Sequence, residues 1–175
     1  SEHLSHLEYA IHSVQQALRI DPAHTGALAG IADLQRKRGS WGELVETLQR
    51  HAAIEPDAQK KTELYIQLAE LLERQMNDIG GAINAYQQAL RSDDASPTAL
   101  AALDQLYRRT EQWEPLIRVL TKRADTSTDD QEIIKYRIEI GTIWDVRLYD
   151  AGQAITAFQK VLDLDPSNVS ALRAL

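Results

Sequence analysis

The sequence predicts an all-α protein made of helices that repeat along the chain, and three observations support this fold class. Residues 78–100 share their pattern with the segments that lie 72 positions earlier and later. Apolar residues recur at the three- and four-residue spacing of an amphipathic helix, and no segment shows the alternation typical of a strand. A fixed period of this kind indicates a repeat array, in which each repeat packs against its neighbours.

The 72-residue period is visible in identical residues. Several residues of the central copy have identical counterparts in both directions; for example, Ala82, Ile83 and Leu90 correspond to Ala10, Ile11 and Leu18 and to Ala154, Ile155 and Leu162. The intervening segments match as well, with Trp41, Leu44 and Leu48 corresponding to Trp113, Leu116 and Leu120.

The first two helices have clear end signals. The first is expected over residues 6–19 and ends before Pro22, because proline disfavours helical geometry in the residue that precedes it. The second is expected over residues 24–38, and its last turn holds three cations followed by Gly39. Cations in the last turn and a glycine just beyond it are typical of a helix C-terminus.

Eight further helices follow with the same apolar spacing. Ser40 opens the third, and Glu43 stands where a capping box would place it. The third helix is expected from Ser40 to Pro56, the fourth at 59–76, and the fifth from Asp78. The sixth to ninth are expected at 96–109, 112–124, 131–147 and 150–163, and the tenth begins at Asn168. All three tryptophans lie at apolar positions of these helices, which predicts that they are packing residues.

Three of the helices carry a small residue, an aromatic or apolar residue four positions on, and a small or apolar residue three positions later. The copies are Ala10, Val14, Ala17 and Pro22; Ala82, Tyr86 and Ala89; and Ala154, Phe158, Val161 and Pro166. The small or apolar anchors of every second helix are spaced alternately by 34 and 38 residues: Ala10, Leu44, Ala82, Leu116 and Ala154. This pattern resembles the tetratricopeptide repeat (TPR) family, whose unit is a helix–turn–helix of about 34 residues.

The resemblance covers essentially the whole chain and implies a right-handed α-solenoid. The expected units are a partial unit at 1–22, whole units at 23–56, 57–95, 96–128 and 129–166, and a partial unit at 167–175. Because both terminal units are incomplete, we expect a piece of a longer array that associates end to end. The family's first-helix glycine is kept only at Gly141, and Asp104 in its place puts the close helix approach of that unit in doubt.

Composition excludes several classes of function. The net charge of −7 and the pI near 5.2 argue against nucleic acid or an anionic membrane as the main partner. No apolar run reaches the length of a membrane helix, and we expect a cytoplasmic protein, with the periplasm left open. No catalytic motif or cofactor-binding loop is present, and His3 and His6 lack further metal ligands, so the chain is expected to be neither an enzyme nor a metal site.

The resemblance implies a concave groove lined by the first helix of each unit, where a segment of another protein binds. The expected partner-binding residues are Asp33, Arg36, Glu63, Gln67, Glu70, Gln105, Arg108, Arg109, Lys135, Glu139 and Thr142. The family's lysine–asparagine–arginine clamp for acidic chaperone tails is not matched at these positions. Among them, Arg108 and Arg109 are favoured as specific contacts, since Arg36 lies one period before Arg108.

Three functions are compatible with these patterns. The first is a protein-interaction scaffold that holds a partner segment in the groove. The second is an architectural spacer or oligomerisation region of a larger protein whose activity lies elsewhere. The third, RNA binding, is disfavoured by the acidic balance.

Overall fold

The computed structural model describes residues 11–14, 16 and 18–175, and every regular element in this part of the chain is an α-helix. The helices are α1 (described at 11–14, 16 and 18–20), α2 (Thr25–Arg38), α3 (Trp41–Ile54), α4 (Ala58–Met76), α5 (Ile79–Ser92), α6 (Pro97–Arg109), α7 (Trp113–Thr126), α8 (Asp130–Val146), α9 (Ala151–Leu164) and α10 (Val169–Ala174). The predicted all-α class is confirmed. The sequence-based expectations for residues 1–10, 15 and 17 lie outside the described residues.

The chain forms two compact units, and the division between them falls within α6. The N-terminal unit is Ser1–Ala99 and the C-terminal unit is Leu100–Leu175. In the N-terminal unit α2 packs against α3, α3 against α4, and α4 against α5. In the C-terminal unit α7 packs against α8, α8 against α9, and α9 against α10. Within each unit, these helices that follow one another in sequence therefore pack together, as a helical repeat requires.

Aspartates begin several of the helices. Asp78 Oδ1 accepts from the backbone N–H of Gly81 at 2.8 Å, and Asp150 Oδ1 accepts in the same way from Gln153 at 3.0 Å, 72 residues later. These bonds satisfy backbone donors that have no partner inside the helix. At the other end of α2, Gly39 adopts a left-handed φ of 76°, and its N–H donates to Arg36 O. The predicted stop at Gly39 is confirmed.

The predicted capping box at the start of α3 is wrong. Ser40 is the N-cap residue of α3, but its side chain makes no capping hydrogen bond. A capping box also needs the N–H of Ser40 for the carboxylate of Glu43, and that N–H donates instead to Gln35 O at 3.0 Å. The hydrogen bonds that close the end of α2 therefore occupy the donor that the capping box would use.

Leucine and alanine side chains form most of the core. Leu28, Leu44 and Leu48 are fully buried in the N-terminal unit, as are Leu116, Leu120 and Val161 in the C-terminal unit. The three tryptophans are half-buried, and Trp144 packs against a cluster formed by Ile134, Ala154, Phe158, Val161 and Ala171. Their predicted packing role is thus observed directly for Trp144.

Gly141 of α8 lies where α9 comes closest to it. A Cβ atom added at Gly141 would lie 2.7 Å from the Phe158 ring, far inside normal contact distance. We expect Gly141→Ala to lower the free energy of unfolding by about 1–2 kcal/mol, because a buried ring has to move to admit the methyl group. Urea denaturation followed by circular dichroism measures the change.

Gly30 of α2 provides the matched control for this substitution. A Cβ atom at Gly30 would meet no atom within 4 Å, and the residue 72 positions later is Ala102. We expect Gly30→Ala to raise the free energy of unfolding by about 0.5–1 kcal/mol, since alanine favours a helix more than glycine does. Equal stabilities of the two variants would contradict the close approach of α8 and α9.

Candidate partner-binding surface

The residues predicted to bind a partner lie on four helices, each the first of its pair. Their distribution is Asp33 and Arg36 on α2; Glu63, Gln67 and Glu70 on α4; Gln105, Arg108 and Arg109 on α6; and Lys135, Glu139 and Thr142 on α8. Glu70 and Glu139 are half-buried, and the other side chains are exposed. All of them are therefore placed at the surface of their unit.

In the N-terminal unit, Arg36 connects two of these helices. Its Nη1 donates to Asp33 Oδ1 at 2.9 Å within α2, and its Nη2 donates to Gln67 Oε1 at 3.1 Å on α4. Two residues predicted separately from their helix positions are thus hydrogen-bonded to each other, although 31 residues separate them.

A cleft of about 500 Å³ lies next to this bridge. We call it the α2–α4 cleft, and it is lined by Arg36, Trp41, Leu44, Leu48, Gln67, Glu70, Leu71, Arg74 and Gln75. Three predicted residues meet there, namely Arg36, Gln67 and Glu70. Asp33 and Glu63 are not part of the lining, and Glu63 accepts instead from Gln59 on its own helix at 3.2 Å.

The sequence did not assign Trp41, Arg74 and Gln75 to the surface. Trp41 was expected to be a packing residue, yet it is half-buried and lines the cleft. Arg74 follows Glu70 by four residues, a spacing that places both on one face of α4 and could have identified it. The two charged groups are 3.8 Å apart. Glu70 also adds to the effect of burial in raising the pKa of Tyr86 to about 12.

In the C-terminal unit, Arg108 is held by two carboxylates. Its Nε donates to Asp104 Oδ1 at 2.5 Å, and its Nη1 donates to Glu139 on α8. The hydrogen bond to Glu139 contributes most to raising the pKa of Arg108 above its ordinary value, and the hydrogen bond to Asp104 adds to this effect. This arginine, favoured from the sequence as a contact with a partner, is therefore already paired with its own chain.

Asp104 stands where the family has its glycine, and its carboxylate is buried between two arginines. Besides accepting from Arg108, it accepts from Arg123 Nη1 of α7 through Oδ2 at 2.6 Å. The guanidinium of Arg123 also lies 4.7 Å from the centre of the Tyr136 ring on α8. An ion pair thus connects α6 to α7 at the position where a glycine would allow close packing.

A second arginine of this unit covers an aromatic ring. The guanidinium of Arg147 lies 4.8 Å from the centre of the Trp113 ring, within the range of a cation–π interaction. The residues 72 positions earlier are Gln75 and Trp41, both in the α2–α4 cleft.

The remaining predicted residues of the C-terminal unit stay exposed. Thr142 donates its hydroxyl to Ile138 O of its own helix at 2.9 Å, and Gln105, Arg109 and Lys135 lie at the surface. Over residues 11–14, 16 and 18–175, no group of three or more His, Asp or Glu side chains is arranged to hold a metal ion. In the same part of the chain, no helix is both long and apolar enough to cross a membrane.

Family models for the tetratricopeptide repeat match residues 27–62, 62–96 and 99–134. The chain belongs to the tetratricopeptide repeat family. Matches to family models thus extend over most of this TPR chain, and the helices packed in sequence order are those of a helical-repeat solenoid fold. No curated protein matches the sequence.

Several solved structures resemble this TPR chain. The MamA protein is 18% identical with a TM-score of 0.52, over 94% of this chain and 86% of that one. YrrB, described as a TPR protein with an unusual peptide-binding site, is 14% identical with a TM-score of 0.53, over 99% and 85%. MamA from Desulfovibrio magneticus RS-1 is 21% identical with a TM-score of 0.50, over 93% and 88%. At these identities the likeness shows the fold alone.

The family supports a general role for this chain. TPR repeats support a protein-interaction scaffold with a protein or peptide as the partner, and the fold is typically non-enzymatic.

Proposed function

We propose that this TPR chain is a scaffold that binds a segment of a partner protein along its first helices, with the α2–α4 cleft as the main contact. The observation that supports the proposal is the meeting of Arg36, Gln67 and Glu70 beside Trp41 in one cleft. YrrB, a structural neighbour, is described as having a peptide-binding site, which agrees with this kind of partner.

The cleft has the chemistry that holds a side chain of a partner. Leu44, Leu48 and Leu71 supply an apolar floor, and the arginines, the glutamate and the glutamines supply polar groups that fix orientation. Tryptophan and arginine are also the residues that most often dominate binding energy at protein interfaces. A volume of about 500 Å³ is enough for one or two side chains of an extended segment.

In the C-terminal unit, we propose that the exposed residues of α6 and α8 make additional contacts. Gln105, Arg109, Lys135 and Thr142 offer polar groups at the surface. Arg108 and Glu139 are paired with each other. The proposed repeat boundaries place these residues in the units 96–128 and 129–166. The second unit of this pair begins with the loop that leads into α8.

A peptide selection tests this function. The full chain is used to select binders from a display library of random peptides, and the affinity of the enriched peptides is then measured. Glu70→Ala combined with Arg74→Ala is expected to weaken binding about tenfold or more, the usual effect of removing central polar contacts. Both side chains are more than 40% exposed, so this variant keeps its fold.

The control is Gln87→Ala combined with Arg91→Ala, an exposed pair at the same spacing on α5. It should change affinity less than about twofold, as peripheral positions usually do. Equal losses in the two variants would contradict the proposal. A chain that selects no peptide and only self-associates in sedimentation experiments would also overturn it, in favour of an architectural spacer.

A further inference from the structure

The two 72-residue copies differ at the positions that supply the partners of an arginine and a tryptophan. In the C-terminal unit, Arg108 is bonded to the carboxylate of Glu139, and Arg147 covers Trp113. The equivalents of Glu139 and Arg147 in the N-terminal unit are Gln67 and Gln75. Two ionic groups of the C-terminal arrangement are thus replaced by neutral amides in the α2–α4 cleft, and Asp104, the other carboxylate bonded to Arg108, corresponds to Ala32.

Arg36 is consequently less well satisfied than Arg108. It has one carboxylate partner, Asp33, whose side chain is 68% exposed, and its other bond is to the neutral amide of Gln67. Arg108 has two carboxylate partners, and one of them, Asp104, is buried. Because a guanidinium forms its strongest hydrogen bonds with carboxylates, Arg36 is the arginine that gains more from an added carboxylate.

Arg74 adds a second cation to the same cleft. Its side chain is 70% exposed, and the 3.8 Å between Arg74 Nη2 and Glu70 Oε1 is longer than a hydrogen bond. The lining therefore holds two guanidinium groups and one carboxylate. Asp33, the carboxylate bonded to Arg36, lies outside the lining, so neither guanidinium has a buried carboxylate as its partner.

We infer that the α2–α4 cleft recognises an acidic side chain, Asp or Glu, of the partner segment, which supplies to Arg36 the carboxylate that Glu139 supplies to Arg108. This inference rests on the proposed function and names the chemistry of its partner. The apolar part of the segment packs on the leucine floor and on Trp41. The equivalent surface of the C-terminal unit does not bind an acidic segment in this way, because its arginine is already paired.

A basic partner residue on Trp41 is the competing occupant, by analogy with Arg147 on Trp113. The arginines oppose it, since a cation would enter between the guanidinium groups of Arg36 and Arg74, and the two carboxylates beside them, Asp33 and Glu70, already face these arginines. At physiological salt, charges beyond about 8 Å are largely screened. The nearby guanidinium groups therefore outweigh the distant negative charges of the chain.

The test uses blocked synthetic peptides in which glutamate alternates with leucine and glycine, together with the same peptides carrying glutamine or lysine in place of glutamate. Binding to the full chain is followed by NMR through the indole N–H of Trp41. The glutamate peptide is expected to bind about tenfold more tightly than the glutamine peptide, the usual gain from a charge-assisted hydrogen bond. The lysine peptide should bind more weakly than either.

Reciprocal substitutions separate this inference from a general effect of charge. Gln67→Glu supplies the missing carboxylate within the chain and should abolish the preference for the glutamate peptide. Glu139→Gln should create a second site, detected as a shift of the Trp113 indole signal. Gln87→Glu adds the same charge on α5 and is expected to leave the preference unchanged.

The peptide experiment would overturn the inference by any of three results: equal binding of the glutamate and glutamine peptides, a preference for lysine, or no shift of the Trp41 signal with any peptide. A preference for glutamate that persists in Gln67→Glu would overturn it as well. None of these results decides the proposed function, because the library selection does not presuppose an acidic partner. If library peptides bind the cleft without enrichment of Asp or Glu, the proposed function stands and this inference fails.

Discussion

Replacing Asp104 with alanine is expected to lower the free energy of unfolding by about 2–3 kcal/mol. The carboxylate is buried and accepts from Arg108 Nε at 2.5 Å and from Arg123 Nη1 at 2.6 Å. Without Asp104, the partly buried guanidinium of Arg123 loses this carboxylate partner. The ion pair that connects α6 to α7 is then broken. The figure lies below the full cost of breaking a buried ion pair because both arginines reach solvent. Guanidinium chloride denaturation measures the change.

Asp33→Ala is the matched control for this prediction. Asp33 also accepts from an arginine on its own helix, at 2.9 Å, but its side chain is 68% exposed. Exposed pairs of this kind contribute about 0–1 kcal/mol. A double-mutant cycle of Asp104→Ala with Arg123→Ala then isolates the bridge between helices. If Asp104→Ala costs no more than Asp33→Ala, the ion pair does not hold α6 and α7 together.

The fold could be predicted because its determinants are local and repeated. The apolar spacing of each helix, Gly39 after α2 and Asp78 before α5 all act within a few residues of their position in the chain. The 72-residue period then shows the same pattern more than once. A segment whose secondary structure is ambiguous can therefore be assigned from the equivalent segment one period away. Ser40 shows the limit, because the end of the preceding helix bonds the donor that its own pattern would use.

The candidate surface could be predicted only in part, since it depends on contacts between helices. Helix positions placed Arg36 and Gln67 at the surface, but their hydrogen bond depends on how α2 and α4 are rotated against each other. Asp104 was expected to disturb its unit because Arg123, its partner, lies 19 residues away and nothing in the spacing links the two. Charged pairs between helices are therefore the contacts that are hardest to predict from a repeat sequence.

The differences between copies carry information that a single repeat does not. The sequence marks Gln67 as a partner-binding residue from its helix position alone, and its missing charge becomes meaningful only when its counterpart, Glu139, is seen bonded to Arg108. Gln75 likewise becomes informative when Arg147 is seen over Trp113. In a repeat protein, equivalent positions of two copies can thus be compared, and one copy shows which interaction the other lacks.

The substitution of tryptophan for Ala82 is expected to have the largest effect on stability of those considered. Ala82 is the small residue of the repeat pattern on α5 and is fully buried, and α5 packs against α4. An indole there forces the two helices apart, and overpacking of this kind costs about 3 kcal/mol or more. The expected result is a large drop in the urea midpoint, or failure to fold.

Gln87→Trp on the same helix is the control, because the side chain of Gln87 is exposed. A surface substitution there should change the free energy of unfolding by no more than about 0.5 kcal/mol. Ala82→Leu, a smaller increase in volume, keeps the comparison measurable if the tryptophan variant does not fold, and it should still lie well below Gln87→Trp in stability. Similar urea midpoints for Ala82→Leu and Gln87→Trp would mean that α5 presents a different face to α4, and the assignment of small residues to the helix contacts would be wrong.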